Sequence, residues 1–125
     1  MKCGIDIIHH NRIEKLTERK GPDYLSKIWT AQEIKDCSRK DGSLRYDSLA
    51  ARFAAKEAVS KAFGTGFGRD GVRLDEIEIL ENSIGAPYVV LHGTTEEFFK
   101  SSGFCEIEIS LSHDQDLSTA ICIIQ

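Results

Sequence analysis

The segment at positions 52–66 constrains the fold of this chain more than any other, because it combines a strong helix former with a glycine stop. It reads Arg-Phe-Ala-Ala-Lys-Glu-Ala-Val-Ser-Lys-Ala-Phe-Gly-Thr-Gly. As far as Phe63 it is rich in alanine, contains no glycine or proline, and has a single β-branched residue. Such a composition favours helix, and Gly64 supplies a C-terminal stop. We therefore expect one long helix that ends at Phe63.

At about 100° per residue, this helix divides into two faces. One face carries small residues, namely Ala51, Ala54, Ala55, Ala58 and Ala62. The other face is polar and carries Arg52, Lys56, Glu57, Ser60 and Lys61. Most charged helix faces are simply solvated. Because Phe53 and Phe63 stand among these charges, we expect the polar face to line a cleft or an interface instead.

The composition indicates a single globular domain over residues 1–125, with 41% hydrophobic and 29% charged residues. No apolar run approaches the roughly 20 residues that span a bilayer, and the first residues place Asp6 where a signal peptide needs an apolar segment. We therefore expect a cytoplasmic protein. The four cysteines form no Cys-x-x-Cys pattern, which argues against a zinc or redox site and favours reduced thiols.

Charge is distributed unevenly along the chain. Residues 1–73 carry 15 Lys/Arg against 10 Asp/Glu, a net charge of +5, whereas residues 74–125 carry one lysine against 10 acids, a net charge of −9. The two parts could simply attract each other within one fold. Alternatively, the basic part meets an acidic ligand or partner.

The remaining pattern predicts an α+β fold, in which a helical first half with one long helix packs on a mainly antiparallel sheet. Strands are predicted at 3–8, 74–80, 88–92, 106–112 and 118–124, and a helix at 11–20. Capping boxes at Thr30–Glu33 and Thr94–Glu97 predict two more helices, the first running to about Arg39. Asp47 or Ser48 is expected to cap the long helix.

Three places hold polar groups that folding alone does not require: Asp6 in the first strand, Arg52–Lys61 on the long helix, and His113 at a strand end. Asp6 alternates with apolar residues, so its carboxylate is either hydrogen-bonded within the fold or holds a ligand. Two carboxylates, Asp6 and Glu57, suffice for Mg²⁺, which is usually completed by water and substrate phosphates. The glycines at 64, 66 and 68 follow a helix C-terminus, whose partial charge repels phosphate, so cations would have to hold a phosphate there.

Three motifs together resemble the holo-acyl-carrier-protein synthases, the small single-domain family of 4′-phosphopantetheinyl transferases. They are Gly4-Ile5-Asp6-Ile7 with Arg12-Ile13, the long-helix segment from Arg52 to Gly66, and Ser110-Leu111-Ser112-His113-Asp114. The resemblance covers essentially the whole chain in order. It implies the family fold and an enzyme that moves the 4′-phosphopantetheine group of coenzyme A to a serine of an apo carrier protein, with release of adenosine 3′,5′-bisphosphate.

The resemblance also implies roles for individual residues. Mg²⁺ would lie on Asp6 and Glu57, and Lys61 would assist it, so that these three residues form the catalytic set. Coenzyme A would be held by Arg52, Lys56, Ser60, Lys61, Gly64, Thr65, Gly66 and His113. The serine would lose its proton to Glu57, to another carboxylate, or to a metal-held water.

The family is usually a homotrimer with active sites between subunits, and its carriers are strongly acidic. Arg12, Leu16 and Arg19 would therefore form the carrier docking surface, and we expect neither a nucleic acid nor a membrane as a partner. One position departs from the family pattern: His9 stands where a glutamate is common, which puts a water-mediated metal contact there in doubt. The sequence leaves open which carrier and pathway are served, and whether the chain is instead a non-catalytic coenzyme A or nucleotide-binding module.

Overall fold

Helices dominate the first half of the chain and strands the second, in a computed structural model that describes all residues from Met1 to Gln125. The helices are α1 (His10–Lys20), α2 (Pro22–Leu25), α3 (Ala31–Asp36), α4 (Tyr46–Phe63) and α5 (Gly93–Ser101). The strands are β1 (Lys2–His9), β2 (Ile77–Glu81), β3 (Pro87–Leu91), β4 (Ile107–Asp114) and β5 (Leu117–Ile124). No helix is both long and apolar enough to cross a membrane.

All strand pairs are antiparallel, and they form two sheets. The larger sheet has the order β1-β5-β4, so the last strand of the chain lies between the first and the fourth. Its register places Asp6 opposite Ala120 and His113 opposite Ser118. The smaller sheet is the β2-β3 hairpin. The predicted α+β class is confirmed, although the strands divide into two sheets.

The predicted long helix is confirmed as α4, which packs against β1, β5, β2 and α1. It ends at Phe63 because Gly64 adopts a left-handed conformation with φ of 82° and donates its N–H to the carbonyl of Ser60 at 3.0 Å. The alanine face is buried as expected, with Ala54, Ala55 and Ala58 fully enclosed. Helix α4 is therefore the centre of the core.

The approach of β1 to α4 is so close that a side chain at Gly4 has no room. A Cβ at this position would lie 2.6 Å from the backbone nitrogen of Ala62 and 2.9 Å from the Cβ of Lys61. Small residues on both elements thus bring the strand onto the helix backbone itself. This contact fixes the distance between the residues that follow Gly4 on β1 and those on the last two turns of α4.

The Thr30–Glu33 capping box is confirmed, since the threonine hydroxyl accepts from the Glu33 N–H and the Glu33 carboxylate accepts from the Thr30 N–H. Helix α3 nevertheless ends at Asp36 and not at Arg39, because Ser38 leaves the helix to form a β-bridge with Leu44.

Two other predicted caps are wrong. Helix α4 starts at Tyr46 after Arg45, and no side chain caps its N-terminus. Helix α5 starts at Gly93, before Thr94 could act as the cap. Instead the Glu76 carboxylate, from the 3₁₀ turn Leu74–Glu76, accepts from the backbone N–H of Thr95 at 3.1 Å. It also accepts from the hydroxyls of Thr94 and Thr95 at 2.9 Å. That turn also replaces the first residues of the strand predicted at 74–80.

Candidate active site

Asp6 lies on the inner face of β1, which is the face toward α4. The strand alternation predicted for this segment is confirmed: Gly4 and Ile8 are buried, whereas Ile5 and Ile7 on the other face are 64% and 63% exposed. The Lys61 ammonium lies 2.9 Å from Asp6 Oδ1 and also donates to the carbonyl of Ile5 at 3.0 Å. Lys61 therefore ties the C-terminal half of α4 to the strand that carries the aspartate.

Glu57 lies one helical turn before Lys61, is half-buried, and is electrostatically coupled to Asp6. Burial is the main cause that raises the pKa of Glu57, and the negative charge of Asp6 raises it further. The positive charges of Lys61 and Arg12 act in the opposite direction. Asp6 and Glu57, the carboxylate pair, thus lie close enough to repel each other, with two cations beside them.

The carboxylate pair has the chemistry of a Mg²⁺ site. No group of three or more His, Cys, Asp and Glu side chains in the chain is arranged to hold a metal ion. Two carboxylates are enough for Mg²⁺, because this ion commonly keeps several waters and takes further oxygen ligands from substrate phosphates. A divalent cation would also relieve the like-charge repulsion that raises the pKa of Glu57.

Two residues of the predicted polar face of α4, Lys56 and Ser60, are inside the protein, which corrects for them the expectation of a cleft or an interface. Lys56 is 0% exposed and Ser60 is 1% exposed. The Lys56 ammonium donates to Glu33 Oε1 at 2.7 Å and to the carbonyls of Leu74 and Ile77 at 3.0 and 2.5 Å. The Ser60 hydroxyl donates to the carbonyl of Glu57 at 2.9 Å. Neither side chain is available for the coenzyme A contact predicted for it.

Glu33 is the partner of Lys56 that sequence reasoning missed. Its side chain is fully buried and also accepts from the backbone N–H groups of Thr30 and Ile79, at 3.0 and 3.2 Å. Burial lowers the pKa of Lys56 and the charge of Glu33 opposes that change. The capping box identified Glu33 as a helix cap, but nothing in the sequence indicated that the same carboxylate pairs with a lysine 23 residues later.

Arg52 and His113 lie together in a separate cleft of about 350 Å³ between the first turns of α4 and the end of β4. Arg52 is only 6% exposed, and its Nε donates to the carbonyl of Ile79 at 3.2 Å. The cleft does not include Asp6 or Glu57. Within one chain, the residues predicted for coenzyme A thus occupy two different places.

The predicted glycine loop adjoins the carboxylate pair at the end of α4. Gly64 and Gly66 have φ values of 82° and 68°, and no atom lies within 4 Å of the position that a Cβ on either would take. The Thr65 hydroxyl donates to the carbonyl of Gly66 at 2.8 Å. The loop therefore presents open backbone beside Lys61.

A large cleft runs along α1, with a volume of about 960 Å³. We call it the α1 groove; it is lined by Arg12, Leu16, Arg19, Tyr24, Ile28, Phe53, Leu74 and others. The three predicted docking residues thus share one groove, whereas its lining by Tyr24, Ile28, Phe53 and Leu74 was not predicted. The Arg12 guanidinium lies 5.8 Å from the centre of the Phe53 ring. Its positive charge also lowers the pKa of Glu57. Arg12 therefore connects the α1 groove to the carboxylate pair.

The two adjacent histidines differ in environment. His9, at the position that departs from the family pattern, is exposed and its Nδ1 lies 3.8 Å from Asp116 Oδ2. His10 Nε2 lies 2.7 Å from the hydroxyl oxygen of Ser118. Both contacts attach the start of α1 to the β4-β5 hairpin.

Comparison with known proteins places this geometry in a family. The chain matches the family model of the 4′-phosphopantetheinyl transferase superfamily over residues 2–122. It is 49% identical to a holo-[acyl-carrier-protein] synthase of Ruminiclostridium cellulolyticum over 99% of this chain and 91% of the relative. It is 43% identical to one of Carboxydothermus hydrogenoformans over 97% of this chain and 94% of the relative.

Solved structures show the same fold. A holo-[acyl-carrier-protein] synthase from Neisseria meningitidis superposes with a TM-score of 0.88 at 28% identity, over 99% of this chain and 97% of the other. One from Helicobacter pylori, in complex with coenzyme A, superposes with a TM-score of 0.84 at 30% identity, over 98% and 99%. On the sequence match and the shared fold, the chain belongs to the 4′-phosphopantetheinyl transferase superfamily, as a member of the holo-[acyl-carrier-protein] synthase family.

Proposed function

We propose that the chain transfers the 4′-phosphopantetheine group of coenzyme A to a serine of an apo acyl carrier protein. The serine oxygen bonds to the phosphorus that bears the pantetheine, the bond to the other phosphate of the pyrophosphate breaks, and adenosine 3′,5′-bisphosphate leaves. One observation carries the proposal: Arg12 belongs both to the α1 groove and to the surroundings of Glu57. A surface for a protein partner thus adjoins carboxylates suited to phosphate chemistry. The names of the relatives and the coenzyme A complex of one of them support it.

Asp6 and Glu57 are the residues that would hold a divalent cation, Mg²⁺ being the one their oxygens favour. When bound, the cation supplies positive charge where negative charge develops on the pyrophosphate. Lys61 adds a second positive charge at the same place, since its ammonium already lies 2.9 Å from Asp6. Its stem emerges from α4, so the charge is held in position before the substrate arrives.

Glu57 is also the group in the chain best suited to accept the proton of the serine. An oxygen of its carboxylate that does not hold the cation can accept this proton; another carboxylate or a water held by the cation could take the same role. Arg12 lines the groove, and its charge acts on Glu57. A carrier bound in the groove would therefore lie near this carboxylate.

Coenzyme A would be bound by two sets of residues. Lys61 with the backbone of Gly64, Thr65 and Gly66 adjoins the carboxylate pair, and Arg52 with His113 lines the separate cleft. These two sets would form one binding site in a homotrimer in which the glycine loop of one subunit faces the Arg52 cleft of the next. The outer face of the β1-β5-β4 sheet supports such an assembly, because Ile5, Ile7, Ile121 and Ile123 are exposed there.

The α1 groove is the proposed docking surface for an acidic carrier. Its rim carries Arg12 and Arg19, and its floor is apolar through Leu16 and Phe53. Charged rims mainly set the rate of encounter and the choice of partner, whereas apolar floors contribute most of the affinity.

Incubation of the chain with coenzyme A, Mg²⁺ and an apo carrier protein should add the mass of one phosphopantetheine group to the carrier. Chelation of divalent cations by EDTA should stop the reaction, and added Mg²⁺ should restore it, because without a cation the two carboxylates repel the anionic pyrophosphate. Mass spectrometry of the carrier measures the outcome. Binding of coenzyme A with no mass gain on carriers of either fatty acid or polyketide type would favour the non-catalytic binding module instead.

Replacement Glu57→Gln should lower turnover by at least about 10²-fold, the usual contribution of a general base, while the protein stays folded. The pKa of Glu57 is raised in the folded chain, so its contribution to stability is present at low pH and is lost as the pH rises through the unfolded and then the folded pKa. Glutamine does not ionise, and the variant should therefore be at least as stable as the wild type at pH 7. Thermal unfolding and steady-state kinetics test both statements; retained turnover would remove Glu57 from the mechanism.

Replacement Arg19→Glu should raise the KM for the carrier by about tenfold or more, equivalent to about 1.4 kcal/mol, without changing the KM for coenzyme A. Arg19 is preferable to Arg12 for this test because Arg12 also affects the pKa of Glu57. Lys35→Glu makes the same change in net charge on α3, away from the α1 groove. This control should leave both KM values unchanged, and the Arg19→Glu effect should shrink at high salt. Equal effects of the two variants would contradict the docking surface.

The molecular mass in solution, measured by light scattering, should be three times that of one chain. Replacement Ile5→Glu on the outer sheet face should give monomers, because it places a charge in the proposed interface. Ile84→Glu is the matched control, since Ile84 is 86% exposed but lies in the β2-β3 turn. A monomeric wild type would exclude the proposed trimer.

A further inference from the structure

Lys56 and Glu33 are the two fully buried charged groups of the chain, and the proposed reaction uses neither. The three hydrogen bonds of Lys56 reach three different elements. Its ammonium donates to the Glu33 carboxylate of α3, to the carbonyl of Leu74 in the 3₁₀ turn, and to the carbonyl of Ile77 at the start of β2. Since an ammonium has three N–H groups, its donors are fully used. Every bond of Lys56 is therefore inside the protein.

The two carbonyls belong to the segment that carries one wall of the α1 groove. Leu74 lines the groove, and Ile77, three residues later, donates its N–H back to the Leu74 carbonyl. The 3₁₀ turn between them is only three residues long, and so short a turn has few hydrogen bonds of its own to hold it. The Lys56 ammonium bridges both ends of this turn.

The neighbours of Lys56 on α4 belong to the α1 groove and to the carboxylate pair. Phe53, one turn earlier on α4, lines the same groove as Leu74, and Glu57 is the next residue along the helix. Lys56 thus fixes the Leu74 wall relative to the Phe53 floor and relative to the carboxylate pair.

A buried ion pair is a poor way to increase stability. The cost of removing two charges from water is often as large as their attraction, and apolar side chains of similar volume frequently stabilise a fold equally well. Glu33 nevertheless has a complete set of partners, with Lys56 and the N–H groups of Thr30 and Ile79, and no buried side-chain polar atom of the chain lacks a partner. What this arrangement adds over apolar packing is a defined position for the carbonyls it binds.

We propose that Lys56, held by Glu33, is a positioning residue for carrier recognition: it fixes the Leu74 wall of the α1 groove at the distance from Phe53 and Glu57 that the carrier requires. The inference rests on the proposed docking of the carrier in this groove. It assigns to Lys56 no contact with coenzyme A, cation or carrier.

The test uses the double replacement Glu33→Gln with Lys56→Met, because Lys56→Met alone would leave a buried unpaired carboxylate and could unfold the protein. Glutamine keeps the acceptor oxygen that caps Thr30, and methionine keeps most of the volume of lysine. The variant should fold with an unchanged near-UV circular dichroism spectrum. Its KM for the carrier should rise about tenfold or more, and its KM for coenzyme A should stay within about twofold, since a tenfold change corresponds to 1.4 kcal/mol.

A second measurement and a control separate positioning from general loss of stability. Backbone amides at 74–77 should exchange with deuterium faster in the double variant, while those of α1 should not change. Ile79 is left out because its N–H is bound directly by the Glu33 carboxylate. Phe98→Leu loosens the core where Phe63 meets Phe98, at the C-terminal end of α4 and about three turns after Phe53. It should leave the KM for the carrier unchanged at a comparable loss of thermal stability.

Equal changes in the two KM values, an unchanged KM for the carrier, or a rise caused equally by Phe98→Leu would overturn the role of Lys56. Should the double variant not fold, Lys56→Arg is the second test: arginine keeps the charge but is too large for this enclosed position, so it should displace the turn and raise the KM for the carrier selectively. A normal KM for the carrier in Arg19→Glu would instead contradict the docking surface itself, so the two failures can be told apart.

Discussion

The contact of β1 with the backbone of α4 determines the geometry of the whole site. Because Gly4 has no side chain and Ala62 has a small one, the strand lies directly against the helix, and Asp6, two residues after Gly4, comes beside Glu57 and Lys61. Burial raises the pKa of Glu57 in this arrangement, and repulsion by the Asp6 carboxylate raises it further. The close packing of apolar and small residues thus holds together two groups that electrostatics alone would separate.

The polar face of α4 serves two purposes that its sequence does not distinguish. Glu57 and Lys61 reach the surface and approach Asp6. Lys56, the residue immediately before Glu57, is instead enclosed and binds Glu33 and two carbonyls. In a helix that is buried on nearly every side, a charged residue is exposed only where no other element covers it. The burial of Lys56 follows from the position of α3 and the Leu74–Glu76 turn, and helix periodicity carries no information about either.

Sequence patterns correctly predicted the features that depend on interactions between residues near each other in the chain. The helix stop at Gly64, the Thr30–Glu33 cap and the inward position of Asp6 each follow from a few neighbouring residues, and each is confirmed. The cap predicted at Thr94 is wrong because Glu76, 18 residues earlier, provides the acceptor. The apolar floor of the α1 groove was missed for the same reason, since Phe53 and Leu74 come together only through tertiary packing.

Side chains alternate between the two faces of β1, and the two faces have different roles. Its inner residues, Gly4 and Asp6, meet α4 at the site, and its outer residues, Ile5 and Ile7, form an exposed apolar surface. Side chains in a strand alternate with a period of two, so a shift of pairing by one residue would exchange the two faces. Insertion or deletion of a single residue in β1 would place isoleucine against the helix backbone and the carboxylate on the outside. The spacing of this strand is therefore as constrained as the identity of its residues.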